Sequence, residues 1–181
     1  MAQNATIFKA DIQISDLNRH HYELHSLTLA RHPSETDERM MVRLMAFMLY
    51  ADEQLLFSKG LSAEGEPDVW HKDLTGHILR WIYVGLPDEK WLRKAAGRSD
   101  AVVVIAYGGN TAKMWWKKNG DALANIKQLT VLELTKQDSE ALAGLADRNM
   151  QLQVTIEGNT LWLSTDTAAL EITPDVLLSQ T

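Results

Sequence analysis

Residues 65–98 read G-E-P-D-V-W-H-K-D-L-T-G-H-I-L-R-W-I-Y-V-G-L-P-D-E-K-W-L-R-K-A-A-G-R, and this stretch decides the fold. A Pro-Asp pair precedes a short apolar strand, and D-L-T-G at 73–76 suits a type I turn into a second strand over 77–84. Asp88 stands where it can cap a helix over residues 89–98. The stretch therefore predicts a β-hairpin followed by a helix.

The residues after this stretch predict a parallel sheet. S-D-A-V-V-V-I-A-Y at 99–107 is a continuous apolar run, which is typical of a central strand covered on both faces. The strand at 78–84, the helix and this run form a strand–helix–strand crossover. A helix is also predicted at 137–147, and Pro174 is predicted to begin a terminal helical turn.

The residues before the stretch predict an antiparallel hairpin and a buried helix. Residues 5–14 and 22–29 alternate apolar and polar side chains, and the adjacent histidines at 20–21 are interpreted as solvated residues rather than a metal pair. Ser34 is the predicted N-cap of the helix. Apolar side chains cover both sides of that helix from Met40 to Ala51, so we expect it to be buried.

Length and composition narrow the class of protein. A chain of 181 residues with 45% hydrophobic and 23% charged residues is expected to form one domain over 1–181. The absence of cysteine excludes disulfides and thiolate metal sites. No signal-peptide pattern and no apolar run of membrane-spanning length are present, so we expect a cytoplasmic protein without a membrane partner. The net charge of −6 argues against a broad basic surface but leaves room for a local basic cleft.

Two groups of charged residues have both a structural and a functional interpretation. Glu35, Glu38 and Arg39 are predicted in the first turn of the buried helix, where acids complement the helix dipole and form local ion pairs. In the functional interpretation, Glu38 is a metal ligand. The second group is a basic stripe on the helix at 89–98, which is either a solvated face or a phosphate-binding surface. Its members are Lys90, Arg93, Lys94 and Arg98.

Several short motifs resemble the bacterial YaeQ family from Ala5 to about Ile172. They are A-T-I-F-K, L-A-R-H-P-S-E-T-x-E-R-M-M, Y-A-D-E, G-L-S, E-P-D-V-W, W-I-Y-V-G-L-P-D-E, D-R-N-M and W-L-S. The resemblance implies a variant of the PD-(D/E)XK, restriction-endonuclease-like fold. This is an α/β (α+β) architecture in which a mixed sheet is flanked by helices, one of them a buried helix from the N-terminal half, with an added antiparallel hairpin layer. It does not imply an established activity.

The resemblance also implies a candidate site. Glu38 corresponds to the helix glutamate of a nuclease-like site and Asp68 to the acid of the Pro-Asp pair, and these two would hold Mg²⁺. The family's next strand carries a further acid, for which this chain has Tyr83. Gly85 stands where other PD-(D/E)XK proteins have a lysine, so the catalytic base would come from the following helix as Lys94 or Lys90.

Three functions remain open at this point, and the sequence does not decide whether the chain is an enzyme. The first is a non-catalytic module that binds a nucleic acid or an acidic partner in the nuclease-like cleft. The second is a Mg²⁺-dependent nuclease in which Glu38, Asp68, the Tyr83 position and Lys94 form the catalytic site. In the nuclease, phosphate contacts would come from Arg31 and Arg39. In the binding module they would come from the helix stripe Lys90, Arg93, Lys94 and Arg98, with Lys113, Lys117 and Lys118 as further candidates and Trp115 and Trp116 for stacking. The third is a protein-binding module with an apolar surface formed by Trp81, Tyr83 and Trp91.

Overall fold

The structure, a computed structural model, describes residues 4–58 and 65–180. The G-L-S motif at 60–62 lies outside the described residues. In chain order the elements are β1 (Thr6–Asp16), β2 (His21–Arg31), α1 (Asp37–Tyr50), β3 (Leu55–Phe57), β4 (Val69–Lys72), β5 (Ile78–Val84), α2 (Glu89–Ala96), β6 (Ser99–Ala106), α3 (Asn110–Leu123), β7 (Leu129–Glu133), α4 (Lys136–Ala143), β8 (Asn149–Glu157), β9 (Thr160–Ser164), β10 (Ala169–Ile172) and β11 (Asp175–Ser179).

The chain divides into two compact units. Unit 1 comprises Met1–Leu49 and Gln137–Pro174, and unit 2 comprises Tyr50–Lys136 and Asp175–Thr181. Each unit contains one sheet with both parallel and antiparallel pairs, so the predicted mixed α/β class is confirmed. No helix among the described residues is long and apolar enough to cross a membrane.

Unit 1 contains a five-stranded sheet in the order β10-β9-β8-β1-β2. The predicted N-terminal hairpin is confirmed as β1 and β2, and β8 pairs with β1 in parallel. On β1 and β8 every second side chain is buried, because successive side chains of a strand point to opposite faces. The sheet therefore has one buried and one exposed face over these two strands, and β2 forms one of its edges.

Helix α1 begins later than predicted. The N–H of Arg39 donates to the Thr36 hydroxyl oxygen at 3.1 Å, which makes Thr36 the N-cap, whereas the Ser34 hydroxyl bonds to His32 Nδ1 at 2.6 Å. The prediction of Ser34 as the cap was therefore wrong, and Glu35 precedes the helix instead of lying in its first turn. Every residue from Met40 to Met48 is buried, which confirms the prediction of a buried helix.

Unit 2 contains a six-stranded sheet in the order β11-β7-β6-β5-β4-β3. Strands β5, β6 and β7 are parallel and the outer pairs are antiparallel, so β6 is the central parallel strand that the apolar run predicts. Beyond Pro174 the prediction of a helical turn was wrong. Residues after it form β11, because pairing with β7 satisfies the backbone groups along that edge.

Helices α2 and α4 are shorter than predicted. Gly97 terminates α2, so Arg98 lies in the turn before β6 and not on the helix. Helix α4 ends at Ala143, just before Gly144. The apolar side of α2, Leu92 and Ala95, belongs to the core of unit 2 together with side chains of β5, β6 and β7.

Candidate functional site

Asp68, the predicted metal-binding acid, anchors the chain before β4 to strand β5. Strand β4 begins at Val69, which pairs with Ile82 of β5. Val84 lies beyond this pair, so its N–H has no partner on β4. The Asp68 carboxylate oxygen Oδ2 accepts that N–H at 2.7 Å, and the Asp68 N–H donates to the Ile82 carbonyl at 2.9 Å. Asp68 is only 2% exposed. The Asp68 carboxylate thus joins the two chain segments, and one of its oxygens already accepts a hydrogen bond.

Tyr83, which the motif resemblance aligns with a second acid, is a core residue on β5. It is 8% exposed, and its ring packs against that of Trp81 with centroids 6.0 Å apart. Burial raises the pKa of the Tyr83 hydroxyl above its ordinary value of 10.0, and the nearby Asp68 carboxylate raises this pKa further. Trp81 and Arg98 lower this pKa but do not cancel the effect of burial. The phenol is therefore neutral at pH 7 and a poor ligand for a hard cation.

The aromatic surface proposed for a protein partner is not present on β5. Trp81 is 3% exposed and belongs, like Tyr83, to the core of unit 2. Neither the Tyr83 hydroxyl nor the Trp81 indole N–H has a hydrogen-bond partner of normal geometry among the described residues. Trp91 is half-buried and packs against the same core. The prediction of an apolar surface at these three residues was therefore wrong, since two of them are buried.

Lys90 and Lys94 lie on either side of Trp91 on the outer face of α2. Their ammonium groups are 5.0 and 4.8 Å from the centroid of the Trp91 ring, and both side chains are exposed. Within the described part of the chain neither ammonium group forms an ion pair. Arg93 differs, because its guanidinium binds the Glu89 carboxylate one turn earlier at 2.7 Å. Lys90 and Lys94 can therefore bind an external anion, whereas Arg93 is already paired with Glu89.

Trp115 and Trp116, the tryptophans of α3, pack against other parts of unit 2. Trp115 Nε1 donates to the Pro87 carbonyl at 2.9 Å. The Trp116 ring lies against Gly120, where an added Cβ would come within 3.1 Å of the ring. Both rings pack against the core of unit 2. Because both rings are half-buried, only part of each is exposed for base stacking.

The charged residues around the start of α1 form ion pairs. Glu35, with a side chain only 1% exposed, accepts hydrogen bonds from Arg43 Nε at 2.7 Å, Arg43 Nη2 at 2.8 Å and Arg39 Nη1 at 3.0 Å. Arg31 pairs with Asp37 and stacks over the Phe8 ring at 5.1 Å. Arg31 and Arg39, two of the four arginines predicted to contact phosphate, therefore each already pair with a carboxylate.

Glu38 is placed differently from Glu35. It is half-buried, and its carboxylate has no hydrogen-bond or ion-pair partner within the ranges that the structure describes. Glu38 belongs to unit 1 and Asp68 to unit 2. Their joint role as metal ligands therefore stays a prediction.

Two groups of residues were missed by the sequence reasoning. One is Arg43, which is buried in the middle of an otherwise apolar helix; a lone charge in such a run was the available signal. The other is His21, Glu23 and His25, which recur with the period of two of a strand. His20 is exposed, as interpreted, but His21 is not, because it lies on β2 against His25.

Comparisons with known proteins agree with the resemblance. The family model described as "YaeQ protein" matches residues 1–174. The chain is 42% identical to "Uncharacterized protein YaeQ" of Escherichia coli (strain K12) and 44% identical to the protein of that name from Salmonella typhi, each over 172 residues and 95% of both chains.

Two crystal structures match nearly the whole fold. The YaeQ protein from Xanthomonas axonopodis pv. citri has a TM-score of 0.93 at 47% identity and covers 97% of this chain and 99% of its own. The YaeQ protein from Pseudomonas syringae has a TM-score of 0.93 at 35% identity, with 98% of each chain covered. The chain belongs to the YaeQ family.

Proposed function

We propose that this chain is a PD-(D/E)XK-like protein that binds nucleic acid through helix α2 and does not cleave it efficiently. The observation that carries the proposal is Tyr83, a buried neutral phenol at the position where the family has an acid. The motif resemblance supports the nuclease-like fold, and the absence of cysteine supports a cytoplasmic location, because disulfides are rare there.

A catalytic Mg²⁺ would have few ligands in unit 2. Mg²⁺ keeps an octahedron of oxygens at about 2.1 Å and is held by one or two carboxylates, with waters and phosphate completing the shell. Asp68 is buried and accepts a backbone N–H, while the phenol of Tyr83 stays protonated well beyond neutral pH. With a phenol in place of the second strand acid, Asp68 is the candidate carboxylate that remains in unit 2.

Helix α2 supports the binding part of the proposal. Lys90 and Lys94 are exposed and unpaired by any carboxylate among the described residues, and Arg98 follows in an exposed turn. Phosphate contacts release counterions and depend little on base sequence. Because the net charge is −6, binding is expected to be weak and confined to this local surface.

A cleavage assay separates this proposal from a Mg²⁺-dependent nuclease. Supercoiled, linear and single-stranded DNA and an RNA are incubated with the wild type and with Asp68→Asn, each with Mg²⁺ or Mn²⁺. We expect no metal-dependent cleavage above the level of the variant. Cleavage by the wild type that Asp68→Asn abolishes, while the variant keeps the wild-type melting temperature, would instead establish the nuclease.

An anisotropy titration tests the binding surface. A labelled single-stranded oligonucleotide is titrated at several salt concentrations with the wild type and with Lys90→Gln/Lys94→Gln. Since each phosphate contact contributes about 0.7 to the slope of log K against log salt, the double variant should lower that slope by about 1.4. The charge-matched control Lys9→Gln/Lys127→Gln replaces two other exposed lysines and should leave the slope unchanged. Equal effects of both double variants, or binding indifferent to salt, would contradict the proposal.

A further inference from the structure

Three side chains with metal-binding groups converge on strand β2. His21, Glu23 and His25 alternate along the strand and therefore lie on one face of the sheet. The Nε2 atoms of the two histidines are 2.8 Å apart. The Glu23 carboxylate oxygen Oε2 is 4.0 Å from His21 Nε2 and 3.8 Å from His25 Nε2. All three ligand atoms thus surround one point.

The two imidazole rings are held in this arrangement by packing. The rings of His21 and His25 stack at 5.1 Å with an angle of 17° between their planes. The His25 ring also meets the ring of Phe47, on α1, edge to face at 5.3 Å. The histidine side chains are 16% and 10% exposed, whereas Glu23 is 49% exposed. Two ligands are therefore preorganised, and the third lies at the solvent boundary.

The position of the triad in the sheet is unusual for polar side chains. In the register of the hairpin, Glu23 is opposite Ile14 and His25 is opposite Ile12, and both isoleucines are fully buried. Further along the same face β2 has Leu27 and Leu29. On this face β1 has Ile12, Ile14 and, opposite His21, the buried Asp16, whereas β2 has His-Glu-His. Inward polar residues also protect edge strands from pairing with other chains, which is the competing explanation.

We propose that His21, Glu23 and His25 form a binding site for a divalent transition-metal ion, with Zn²⁺ as the best match. Zn²⁺ binds imidazole nitrogen and carboxylate oxygen at about 2.0–2.2 Å in tetrahedral geometry, which places ligand atoms roughly 3.3 Å apart. The observed separations of 2.8, 3.8 and 4.0 Å lie within about 0.7 Å of that value on either side.

The ligand types select the ion. Two imidazoles disfavour Mg²⁺ and Ca²⁺, which take oxygen ligands, and favour Zn²⁺, Cu²⁺ or Ni²⁺. Among the described residues three supply ligands, so a fourth position remains for water or an external ligand on the side of the exposed Glu23. A hydrogen bond between the two Nε2 atoms requires a proton on one of them, and the metal ion takes the place of that proton.

Calorimetric titration tests the site. Tag-free protein is dialysed against EDTA, then against buffer, and titrated with ZnCl₂. We expect one ion per chain, and a loss of affinity of about tenfold or more in His21→Gln, His25→Gln and Glu23→Gln. The matched control is His20→Asn, because His20 is the exposed neighbour with φ of 54° and asparagine tolerates that left-handed conformation.

Two further measurements keep the test independent of folding. Glu23→Gln changes a half-exposed side chain and should keep the wild-type melting temperature, so its loss of affinity cannot be ascribed to unfolding. Co²⁺ in place of Zn²⁺ should give the intense visible absorption of a tetrahedral site in the wild type and in His20→Asn. No binding by the wild type, or binding that the three ligand variants leave unchanged, would overturn the proposal and leave the edge-protecting role.

Discussion

The Glu35–Arg43 ion pair is buried, so loss of either partner is expected to lower the free energy of unfolding strongly. Arg43 is 2% exposed, donates twice to Glu35 and once to the Ala30 carbonyl at 3.1 Å. Removing Glu35 leaves a buried guanidinium without its counter-charge. Glu35→Ala should therefore lower the free energy of unfolding by about 3–5 kcal/mol in urea titrations.

Arg39→Ala is the matched control for that prediction. Arg39 binds the same carboxylate at 3.0 Å, but its side chain is 19% exposed and Arg43 still neutralises Glu35 after the change. We expect a loss of about 1 kcal/mol or less. Equal losses for Glu35→Ala and Arg39→Ala would show that burial of Arg43 does not set the energetics of this cluster.

Tyr83 gives a second prediction at the residue scale. Its buried hydroxyl has lost contact with water without gaining a normal hydrogen bond in the described part of the chain, and such a group costs about 1–3 kcal/mol. Tyr83→Phe removes that cost and should leave the free energy of unfolding unchanged or raise it by up to about 1 kcal/mol. A loss of more than about 1 kcal/mol in urea would show that the hydroxyl is bonded in solution.

The same residue makes stability depend on alkaline pH. The folded-state pKa of Tyr83 is raised, so above its ordinary value of 10.0 the unfolded chain releases the proton first. The contribution of this pKa shift to the free energy of unfolding is therefore fully present below pH 10. It declines as the pH rises from 10 towards the folded-state pKa. Tyr83→Phe should lack this part of the decline, so its stability advantage should grow above pH 10. A constant difference between the two proteins from pH 8 to 11 would contradict the shift.

The N-terminus of helix α1 is capped by one side chain, that of Thr36. Thr36→Ala removes the acceptor for the Arg39 N–H and should lower the free energy of unfolding by about 1 kcal/mol. Ser34→Ala removes only a hydrogen bond to His32 on an exposed turn and should cost a few tenths. Thermal melts of both variants decide the matter, and a larger effect of Ser34→Ala would restore Ser34 as the cap.

This example also shows what could be predicted from the sequence. Strand β8 was predictable because its apolar and polar side chains alternate with their burial, and the buried helix α1 because apolar residues cover both of its sides. The cap was not, because H-P-S-E-T-D offers several residues with capping side chains and only the turn geometry selects Thr36. The helical turn predicted after Pro174 was wrong because residues 175–179 form β11 by pairing with the edge of β7. Such tertiary pairing leaves no local signal in the sequence.

The candidate site was predictable to a smaller extent than the fold. The resemblance pointed to Asp68 and Tyr83 as site positions. It did not predict that Asp68 accepts a hydrogen bond from the Val84 N–H or that Tyr83 lies in the core. The ion pairs of Arg31 and Arg39 likewise depend on contacts across elements. His21, Glu23 and His25 carried a usable signal, because the strand predicted at 22–29 already puts Glu23 and His25 on one face and His21 lies one residue before its start.

At the scale of the whole molecule, the division into two units bears on the predicted single domain, which we retain as a proposal. Neither unit is one continuous segment, since the chain passes between them after Leu49, after Lys136 and after Pro174. Strand β11 completes the sheet of unit 2 only after the chain has formed β8, β9 and β10 of unit 1. Such interleaving favours cooperative unfolding over independent domains, whose boundaries are normally crossed by few contacts.

The tryptophans allow this cooperativity to be tested without new labels. Five of the six lie in unit 2, and Trp162→Phe removes the one in unit 1, so the remaining emission reports unit 2 alone. Far-UV circular dichroism reports the strands and helices of both units. We expect urea transitions of this variant followed by the two probes to superimpose, with the same midpoint and slope. A fluorescence transition separated from the dichroism transition would show that unit 2 unfolds by itself and that the chain has two domains.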